Sequence, residues 1–487
     1  MAAKFPDLQF RYRENPAAER LIGLLASGGD ARITLDPESG LNRYLAGPYP
    51  RNALAFASST ANDVSAPAFD HLLELLEAGV PDYAAQLSNL RARVLAAFGA
   101  TGIASVVFAP SGTDLEFVGL AAVLGRGKSG THNILLGADE VGSGCIHSAR
   151  GHYFAQETAL GTATEPGQQV EGLGAVTLVD IPVRCADGEA LTSVAISEQV
   201  RAELQLARAQ GQHTLLHIVH GSKTGLILPR LDEIDALRDE FGDALTLVVD
   251  ACQARITVGA VRDYLARGAI VFITGSKFMG GPPFSGFALV PDSMVAQAAP
   301  LPAGFATIFR RAEWGEGWQG REQLEDSANP GLALRLEASI FELERFSALD
   351  FGDVGRVILA FQRAIRDLLE QRLGFRLVLP FAAGSEESSA EHPLEMLTLA
   401  TLDISRHPAA RTFDDAQALY RSLDGLGLRL GQPVKCVRLT EGGWGGTMRV
   451  GLSMPQVAEL AVLDDAALAA TLDERIGRFA DALGVPA

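Results

Sequence analysis

The segment AIVFITGSKFMGGPPFSGFALVP, residues 269–291, decides the fold. It joins two apolar, β-branched runs, at 269–274 and 286–290, and each is typical of a strand buried on both faces of a sheet. Lys277 comes directly after the first run, between Ser276 and a turn rich in glycine and proline. Burial removes water from an amine and lowers its pKa, which suits a lysine for covalent chemistry with a carbonyl group. Lys277 is therefore the first candidate catalytic residue.

Five further apolar runs lie upstream and alternate with amphipathic stretches, which is the pattern of parallel strands buried between helices. They lie at 104–109, 133–137, 175–181, 214–219 and 245–250. With the two runs around Lys277, they predict an α/β domain built on a mainly parallel seven-stranded sheet. Helices are predicted at 193–210, which is rich in Ala, Glu, Gln and Arg, and at 231–241, where apolar residues recur at three and four.

The pattern changes after about residue 300. Amphipathic helices are predicted at 332–348, 354–373 and 413–424, and the last lies among the short runs LEMLTLATLDI, VKCVRL and TMRVGLS, which indicate a small α+β unit. We predict a large α/β domain at 71–310, and a small C-terminal α+β domain with its linking helix at 311–487. Residues 1–70 show no strong period, and we expect them to pack on the small domain or over the active site.

The composition excludes several classes of protein. The 487 residues carry 41 basic and 59 acidic side chains, a formal charge of −18 spread along the chain, so nucleic acid is not an expected partner. The chain shows no secretory signal and no apolar run of about 18 residues that would cross a bilayer, so we expect a cytoplasmic protein without a membrane partner. Four scattered cysteines and nine histidines without metal-site spacing predict reduced thiols and no metal.

Two glycine-rich motifs resemble nucleotide-binding loops but lack the required context. GRGKSG at 125–130 would need a glycine at Ala122 to complete a P-loop. GEGWQG at 315–320 follows no buried strand, as a dinucleotide-binding motif must, so we interpret it as a loop.

A candidate anion site follows the strand at 104–109. Ser111, Gly112 and Thr113 come at its end, and an amphipathic helix begins at once. The free amides and the dipole of a helix N-terminus favour a phosphate, the hydroxyls add donors, and Gly112 permits close approach. Taken alone, the segment is better explained by an ordinary helix cap with Asp114 in the first turn.

Asp250 ends the otherwise apolar strand at 245–250, at the edge where open α/β sheets bind ligands. A carboxylate there requires a partner, and the protonated nitrogen of a pyridine ring would provide one. Gln253 is placed to reach an oxygen on such a ring. A structural aspartate that caps the next helix is the alternative. The separation 277 − 250 = 27 residues suits strand, helix and strand, so Asp250 and Lys277 converge on one edge.

These three segments, in this order, resemble the fold type I enzymes that use pyridoxal 5′-phosphate (PLP). Within them the sequence is most similar to the class V aminotransferase group, which also contains cysteine desulfurases and kynureninases. The resemblance covers residues 70–300 well and the remainder loosely. It implies a PLP-dependent transferase-like large domain in which Lys277 forms the Schiff base and Asp250 pairs with the pyridine nitrogen. The other implied cofactor contacts are Ser111, Gly112, Thr113 and Gln253, and we add Thr274 and Ser276 because their hydroxyls are placed to reach the phosphate.

The resemblance also implies contacts outside these segments. GGTMRVGLS resembles the family's arginine-containing strand, in which Arg449 would bind a substrate carboxylate; an ion pair with a surface acid is the alternative. The residue that stacks on the cofactor ring is expected between 137 and 154, where we prefer His147 to His152. EDSANPG resembles a loop that reaches the cofactor phosphate of the other subunit in a dimer, which makes Ser327 and Asn329 candidate contacts.

Three features leave the function open. HGSKTGLILP resembles a family segment, but Ser222 stands where asparagine is common. Ser276 stands where many members have histidine, which moves the match away from desulfurases. In FASSTANDVS the hydroxyls and Asn62 indicate substrate binding, although a turn with a helix cap at Ser65 explains this segment as well.

We predict a homodimeric PLP enzyme that acts on an amino acid through an external aldimine, as an aminotransferase of the class V type. A lyase that cleaves a C–S, C–N or C–C bond is the first alternative, and a non-catalytic protein that keeps the fold is the second. Desulfuration is less favoured because it needs a thiol on a mobile loop, and neither Cys252 nor Cys436 lies in such a sequence.

Overall fold

The computed structural model describes residues 5–79, 82–142, 144–382 and 393–484. The strands are β1 Leu54–Phe56, β2 Ala104–Ala109, β3 Thr131–Leu136, β4 Val176–Ile181, β5 His213–His220, β6 Ile227–Leu228, β7 Leu245–Asp250, β8 Ile270–Thr274, β9 Gly286–Pro291, β10 Arg376–Leu377, β11 Leu399–Asp403, β12 Leu428–Leu430 and β13 Thr447–Gly451. The helices are α1 Pro16–Leu25, α2 Ala66–Ala78, α3 Tyr83–Ala97, α4 Gly112–Val123, α5 Ala138–Val141, α6 Cys145–Ala149, α7 Ser193–Ala209, α8 Leu231–Phe241, α9 Val258–Ala266, α10 Asp292–Val295, α11 Pro330–Ser347, α12 Phe351–Ile365, α13 Phe413–Asp424, α14 Met454–Leu460 and α15 Asp465–Leu483.

The central sheet has the strand order β2-β9-β8-β7-β5-β3-β4. Strands β8, β7, β5, β3 and β4 are parallel, whereas β9 runs antiparallel to both of its neighbours. The predicted mainly parallel α/β sheet is therefore confirmed, and all seven predicted strands are present. The structure adds an eighth, β6, which pairs with the end of β5. Its two residues are too short to give a periodic signal.

Both faces of this sheet are buried, which explains the unbroken apolar runs. In β2, Val106 and Phe108 pack in the same apolar cluster as helix α3, on one face. Val107 and Ala109 pack with α4 on the other face. Because successive side chains of a strand point to opposite faces, every position in such a strand must be apolar.

The C-terminal part contains a three-stranded antiparallel sheet in the order β10-β11-β13, beside helices α12 to α15. The helix predicted at 413–424 is α13. Of the three predicted short runs, TMRVGLS contains β13, and LEMLTLATLDI forms a short 3₁₀ helix followed by β11. VKCVRL is not a strand; its residue Arg438 makes only an isolated bridge to Trp444.

The N-terminal segment contributes α1 and β1, and β1 pairs in parallel with β12 of the C-terminal part. Trp314 and Trp318, which the prediction assigns to the small domain, pack in the apolar cluster on the α4 face of the large sheet. The three-part division of the chain stays a prediction. No helix within the described ranges is long and apolar enough to cross a membrane.

Candidate functional site

A cavity of about 980 Å³ opens where β7 and β8 end and α4 begins. Parallel strands present their carboxyl ends at one edge of the sheet, and the crevice beyond that edge is where α/β folds bind ligands. Eight of the predicted site residues line this cavity: Ser111, Gly112, Thr113, Asp250, Thr274, Ser276, Lys277 and Arg449.

The N-terminus of α4 forms one wall of the cavity. Ser111 is the N-cap, and its hydroxyl donates to Asp114 at 2.5 Å and accepts from the Asp114 amide at 3.4 Å. Arg32 donates to the Ser111 hydroxyl at 3.3 Å and to the Thr113 hydroxyl at 3.5 Å. Arg32 lies in a stretch without periodicity, so the sequence did not indicate it. A guanidinium, two hydroxyls and the free amides of a helix N-terminus together form a donor set for a phosphate.

Gly112 brings three sequence segments together. A methyl group at its Cα would lie 3.1 Å from Cγ2 of Thr274 and 3.2 Å from Sγ of Cys252. Thr274 in turn donates from its hydroxyl to the Cys252 carbonyl at 2.6 Å. The anion site, the end of β7 and the end of β8 therefore meet at a point where only a glycine fits without displacing its neighbours.

Lys277 lies in a closed turn that follows β8. The amide of Gly281 donates to the carbonyl of Gly275 at 2.8 Å, and the amide of Gly280 donates to that of Lys277 at 2.9 Å. Within the described ranges, the Lys277 amine has no hydrogen-bond or ion-pair partner. Desolvation lowers the pKa of Lys277 from its ordinary value, against the opposing effect of nearby Cys252 and Asp250. A neutral amine is the nucleophilic form that reacts with an aldehyde.

Asp250 faces the same cavity from the end of β7, and its Oδ1 accepts the Cys252 amide at 3.0 Å. No cationic side chain of the described residues makes an ion pair with it. The neighbouring Gln253 is buried away from the cavity lining, where its Oε1 accepts from Arg255 at 3.0 Å and its Nε2 donates to the Ser59 carbonyl at 3.4 Å. Gln253 therefore links Arg255 to the Ser59 backbone in the protein interior and does not line the cavity.

A buried acid, Glu116, lies close enough to Asp250 to interact with its charge. Glu116 on α4 and His217 on β5 lie with Oε2 and Nε2 3.4 Å apart. Burial, and then the Asp250 charge, raises the pKa of Glu116 well above its usual value, whereas burial lowers the pKa of His217 to about 3. Burial therefore favours the uncharged form of both groups.

Arg449 on β13 reaches the cavity from the C-terminal part. Its guanidinium donates to the carbonyls of Gln432 at 2.7 Å and Ser59 at 3.0 Å, and to the hydroxyl of Thr60 at 3.1 Å. The residue is 3% exposed, and in the described part of the chain no acid pairs with it. Desolvation lowers its pKa to about 10, which leaves it charged at neutral pH. The predicted alternative, a surface ion pair, does not fit this buried position.

Lys223 is a second lysine in the cavity, and the sequence did not single it out. It follows Ser222 in the segment between β5 and β6, and its amine donates to the Asp139 carbonyl at 2.8 Å. Burial, followed by the charges of Arg449 and Lys277, lowers its pKa to about 8. Ser222 itself is buried, and its hydroxyl donates to Glu140 at 2.9 Å rather than facing the cavity.

Besides Gln253, four predicted site residues do not line the cavity. Asn62 donates from Nδ2 to the carbonyls of Ser276 at 2.9 Å and Lys277 at 2.5 Å, so it supports the lysine turn from behind. His147 is exposed on α6, whose Cys145 faces the cavity instead. Ser327 accepts from Arg310 at 3.1 Å.

The fourth, Asn329, is the N-cap of α11 and donates to the carbonyl of Gly28 at 2.9 Å. Helix capping thus occupies a side chain that the sequence pattern indicated as a cofactor contact. The roles predicted for Ser327 and Asn329 across a dimer stay predictions.

Backbone strain concentrates at the cavity. Among the described residues, three that are not glycine have positive φ: Leu45 at 57°, Ala254 at 56° and Phe284 at 69°. Leu45 and Phe284 line the cavity, and Ala254 follows Gln253. Such conformations persist only where the surrounding structure enforces them, and they cluster at ligand sites. At Phe284 the strained backbone places the ring 4.6 Å from the Arg32 guanidinium.

No protein-family model and no curated protein matches the sequence. Solved structures do match. A cysteine desulfurase from Escherichia coli is 16% identical with a TM-score of 0.53, over 89% of this chain and 96% of that one. One from Thermococcus onnurineus is 17% identical with a TM-score of 0.53, over 87% and 95%. A serine palmitoyltransferase from Sphingomonas wittichii is 14% identical with a TM-score of 0.50, over 98% and 99%. The fold of this chain is therefore the one shared by the fold type I PLP-dependent enzymes.

Proposed function

We propose that the protein is a PLP-dependent enzyme that acts on an amino acid, and that it is an aminotransferase. The observation that carries the proposal is the position of Lys277, a desolvated amine without a partner in the described chain, in one cavity with Asp250 and an anion-binding helix N-terminus. A fold alone does not establish a function, so the argument depends on these side chains.

The residues present fit the cofactor at each of its functional groups. Ser111, Thr113 and Arg32 form the donor set for its phosphate. Asp250 supplies a carboxylate for the ring nitrogen, and Lys277 is the amine that would hold the cofactor covalently. Bound PLP supplies an electron sink for the bond that breaks at the substrate Cα.

The protein residues divide the remaining tasks. Arg449 orients the substrate by binding its carboxylate with two parallel hydrogen bonds, a geometry that only arginine provides. Lys277 would take the proton from the substrate Cα and deliver it to the cofactor carbon that is bonded to the substrate nitrogen, and its lowered pKa suits it to act as a general base.

Two observations favour transamination over lyase chemistry. Buried Arg449 is placed to bind the substrate carboxylate, and neither Cys252 nor Cys436 is a sulfur-accepting thiol on an exposed loop. Cys252 follows β7 in the site itself, and Cys436 is buried. Incubation with amino acids and a keto-acid acceptor distinguishes an aminotransferase from a lyase. Amino transfer supports the proposal, whereas release of ammonia or sulfide without transfer would replace it with a lyase.

The cofactor assignment is tested by borohydride reduction of the purified protein with PLP, followed by peptide mass analysis. We expect the pyridoxyl group on the peptide that contains Lys277, and no label in Lys277→Ala. The matched control is Lys128→Ala, which removes an exposed lysine from a turn outside the cavity lining. A protein that stays colourless and unlabelled with excess PLP refutes the proposal.

We also propose that the enzyme acts as a homodimer, as the resemblance implies. Light scattering coupled to size-exclusion chromatography measures the mass directly. A mass near the 51.5 kDa of one chain at micromolar concentration would refute this part of the proposal.

A further inference from the structure

The cavity is rich in positive charge although the protein as a whole is strongly acidic. Its lining contains six cationic side chains and three acidic ones. The cations are Arg32, Arg43, Lys223, Lys277, Arg421 and Arg449. The whole chain has the opposite balance, with 41 basic and 59 acidic residues. An excess of one charge sign in a crevice attracts and orients ligands of the other sign.

The proposed function accounts for only part of this charge. Arg32 pairs with Asp30 at 2.7 Å and serves the phosphate site, and Lys277 holds the cofactor opposite Asp250. Arg449 takes the substrate carboxylate. Lys223, Arg43 and Arg421 then have no assigned anion, and the lining offers them a single further acid, Glu157.

Of the three cations without an assigned anion, Lys223 lies deepest in the cavity. Lys223, Lys277 and Arg449 line the same cavity, and the charges of the other two help to lower the pKa of Lys223. Its pKa of about 8 keeps most of the amine protonated at neutral pH. The like charges of Lys223 and Arg449 repel each other in this cavity, and a bound anion relieves that repulsion.

Arg43 and Arg421 lie at the outer end. Arg421 is on α13, whose Gln417 and Tyr420 also line the cavity, and Arg43 precedes Tyr44 in the loop opposite. The Tyr420 hydroxyl donates to the Tyr44 carbonyl at 3.3 Å and joins the two walls. Both arginines are exposed, and neither makes an ion pair with an acid in the described ranges.

The cofactor phosphate does not need these three cations, because Arg32 and the start of α4 already provide its donors. We therefore propose that Lys223, with Arg43 and Arg421, binds a second anionic group on the substrate, so that the preferred substrate is an amino acid with a carboxylate side chain. This inference rests on the proposed function and names the substrate class of the same site.

The experiment compares each acidic amino acid with its neutral isostere: aspartate with asparagine, and glutamate with glutamine. Binding is followed by the absorbance change of the bound cofactor, and turnover by kcat/KM with a keto-acid acceptor. We expect at least one acid to exceed its amide by about tenfold or more, since a hydrogen bond between charged groups contributes about 1.5–3 kcal/mol.

Three variants locate the selectivity: Lys223→Gln, the double variant Arg43→Gln/Arg421→Gln, and the control Arg363→Gln on the outer surface, where Arg363 pairs with Asp473. The first two should lower kcat/KM for the acid about tenfold and leave the amide unchanged, and the control should change neither. A kcat/KM for each amide that equals or exceeds that for its acid overturns the inference. An equal loss of kcat/KM for the acid and the amide in the first two variants also overturns it. If borohydride fixes no PLP on Lys277, the proposed function fails and the inference with it; if PLP is fixed and neutral amino acids are preferred, the inference alone fails.

Discussion

Replacement of Asn62 by alanine should loosen the lysine turn without touching the cavity surface. The Asn62 amide donates to two consecutive carbonyls, those of Ser276 and Lys277, from a side chain that is 9% exposed. Each buried hydrogen bond contributes about 1 kcal/mol net, so the two together stabilise the turn by about 2 kcal/mol. If the cofactor binds only the ordered turn, its dissociation constant should rise roughly 30-fold.

The assay is a titration of the apoprotein with PLP, followed by absorbance, for wild type, Asn62→Ala and the control Asn52→Ala. Asn52 is exposed, and its side chain makes no hydrogen bond within the described residues. We expect weaker cofactor binding and a lower kcat in Asn62→Ala only, because a small displacement of a catalytic group costs rate steeply. Equal PLP affinities in the two variants would refute the argument that Asn62 holds the turn.

Three further predictions concern the walls of the cavity. Arg32→Gln should weaken PLP binding about tenfold and leave the affinity for pyridoxal, which lacks the phosphate, unchanged; a loss for both ligands would contradict the phosphate role. Because the pKa of Glu116 is raised in the folded state, its contribution to stability is complete at low pH and falls as pH rises above 4.5, the usual pKa of a glutamate. The Tm of Glu116→Gln relative to that of wild type should therefore rise as the pH increases from 5 to 8. A Tm difference that stays constant with pH would contradict the raised pKa of Glu116. In Gly281→Ala the new methyl would meet Oγ of Ser339 at 1.9 Å, so denaturant unfolding should show a loss of about 1–3 kcal/mol that Ser339→Gly relieves in the double variant.

The parts of the fold that follow from burial could be predicted from the sequence. The strands are continuous apolar runs because both faces of the sheet are covered, and Asp250 and Lys277 could be placed at one edge because parallel strands end together. The N-cap of α1 also leaves a signal in the sequence, Asn15 before Pro16, with apolar residues that are buried at 18, 21, 22 and 25.

The side chains that complete the cavity could not be predicted in the same way. Arg32 and Lys223 lie in irregular segments, where no period indicates which way a side chain points. Asn62 was predicted to contact substrate because it is polar and near hydroxyls, but its carbonyl partners belong to a turn 214 and 215 residues away. Such contacts depend on tertiary packing and leave no local pattern.

The pairing of β1 with β12 fixes the position of β1 and also determines when during synthesis β1 can pair. Leu54 lies opposite Leu428, and 374 residues separate the two in the chain. A ribosome that adds about 5–20 residues per second needs roughly 20–75 s to make the second strand after the first. During that interval β1 has no strand to pair with, although the segment that follows it already contains Asn62. The nascent chain can thus complete its large sheet before the pairing of β1 with β12 fixes the segment that contains Asn62. We therefore expect a ribosome-stalled chain that ends before residue 428 to fold its central sheet and yet bind PLP poorly.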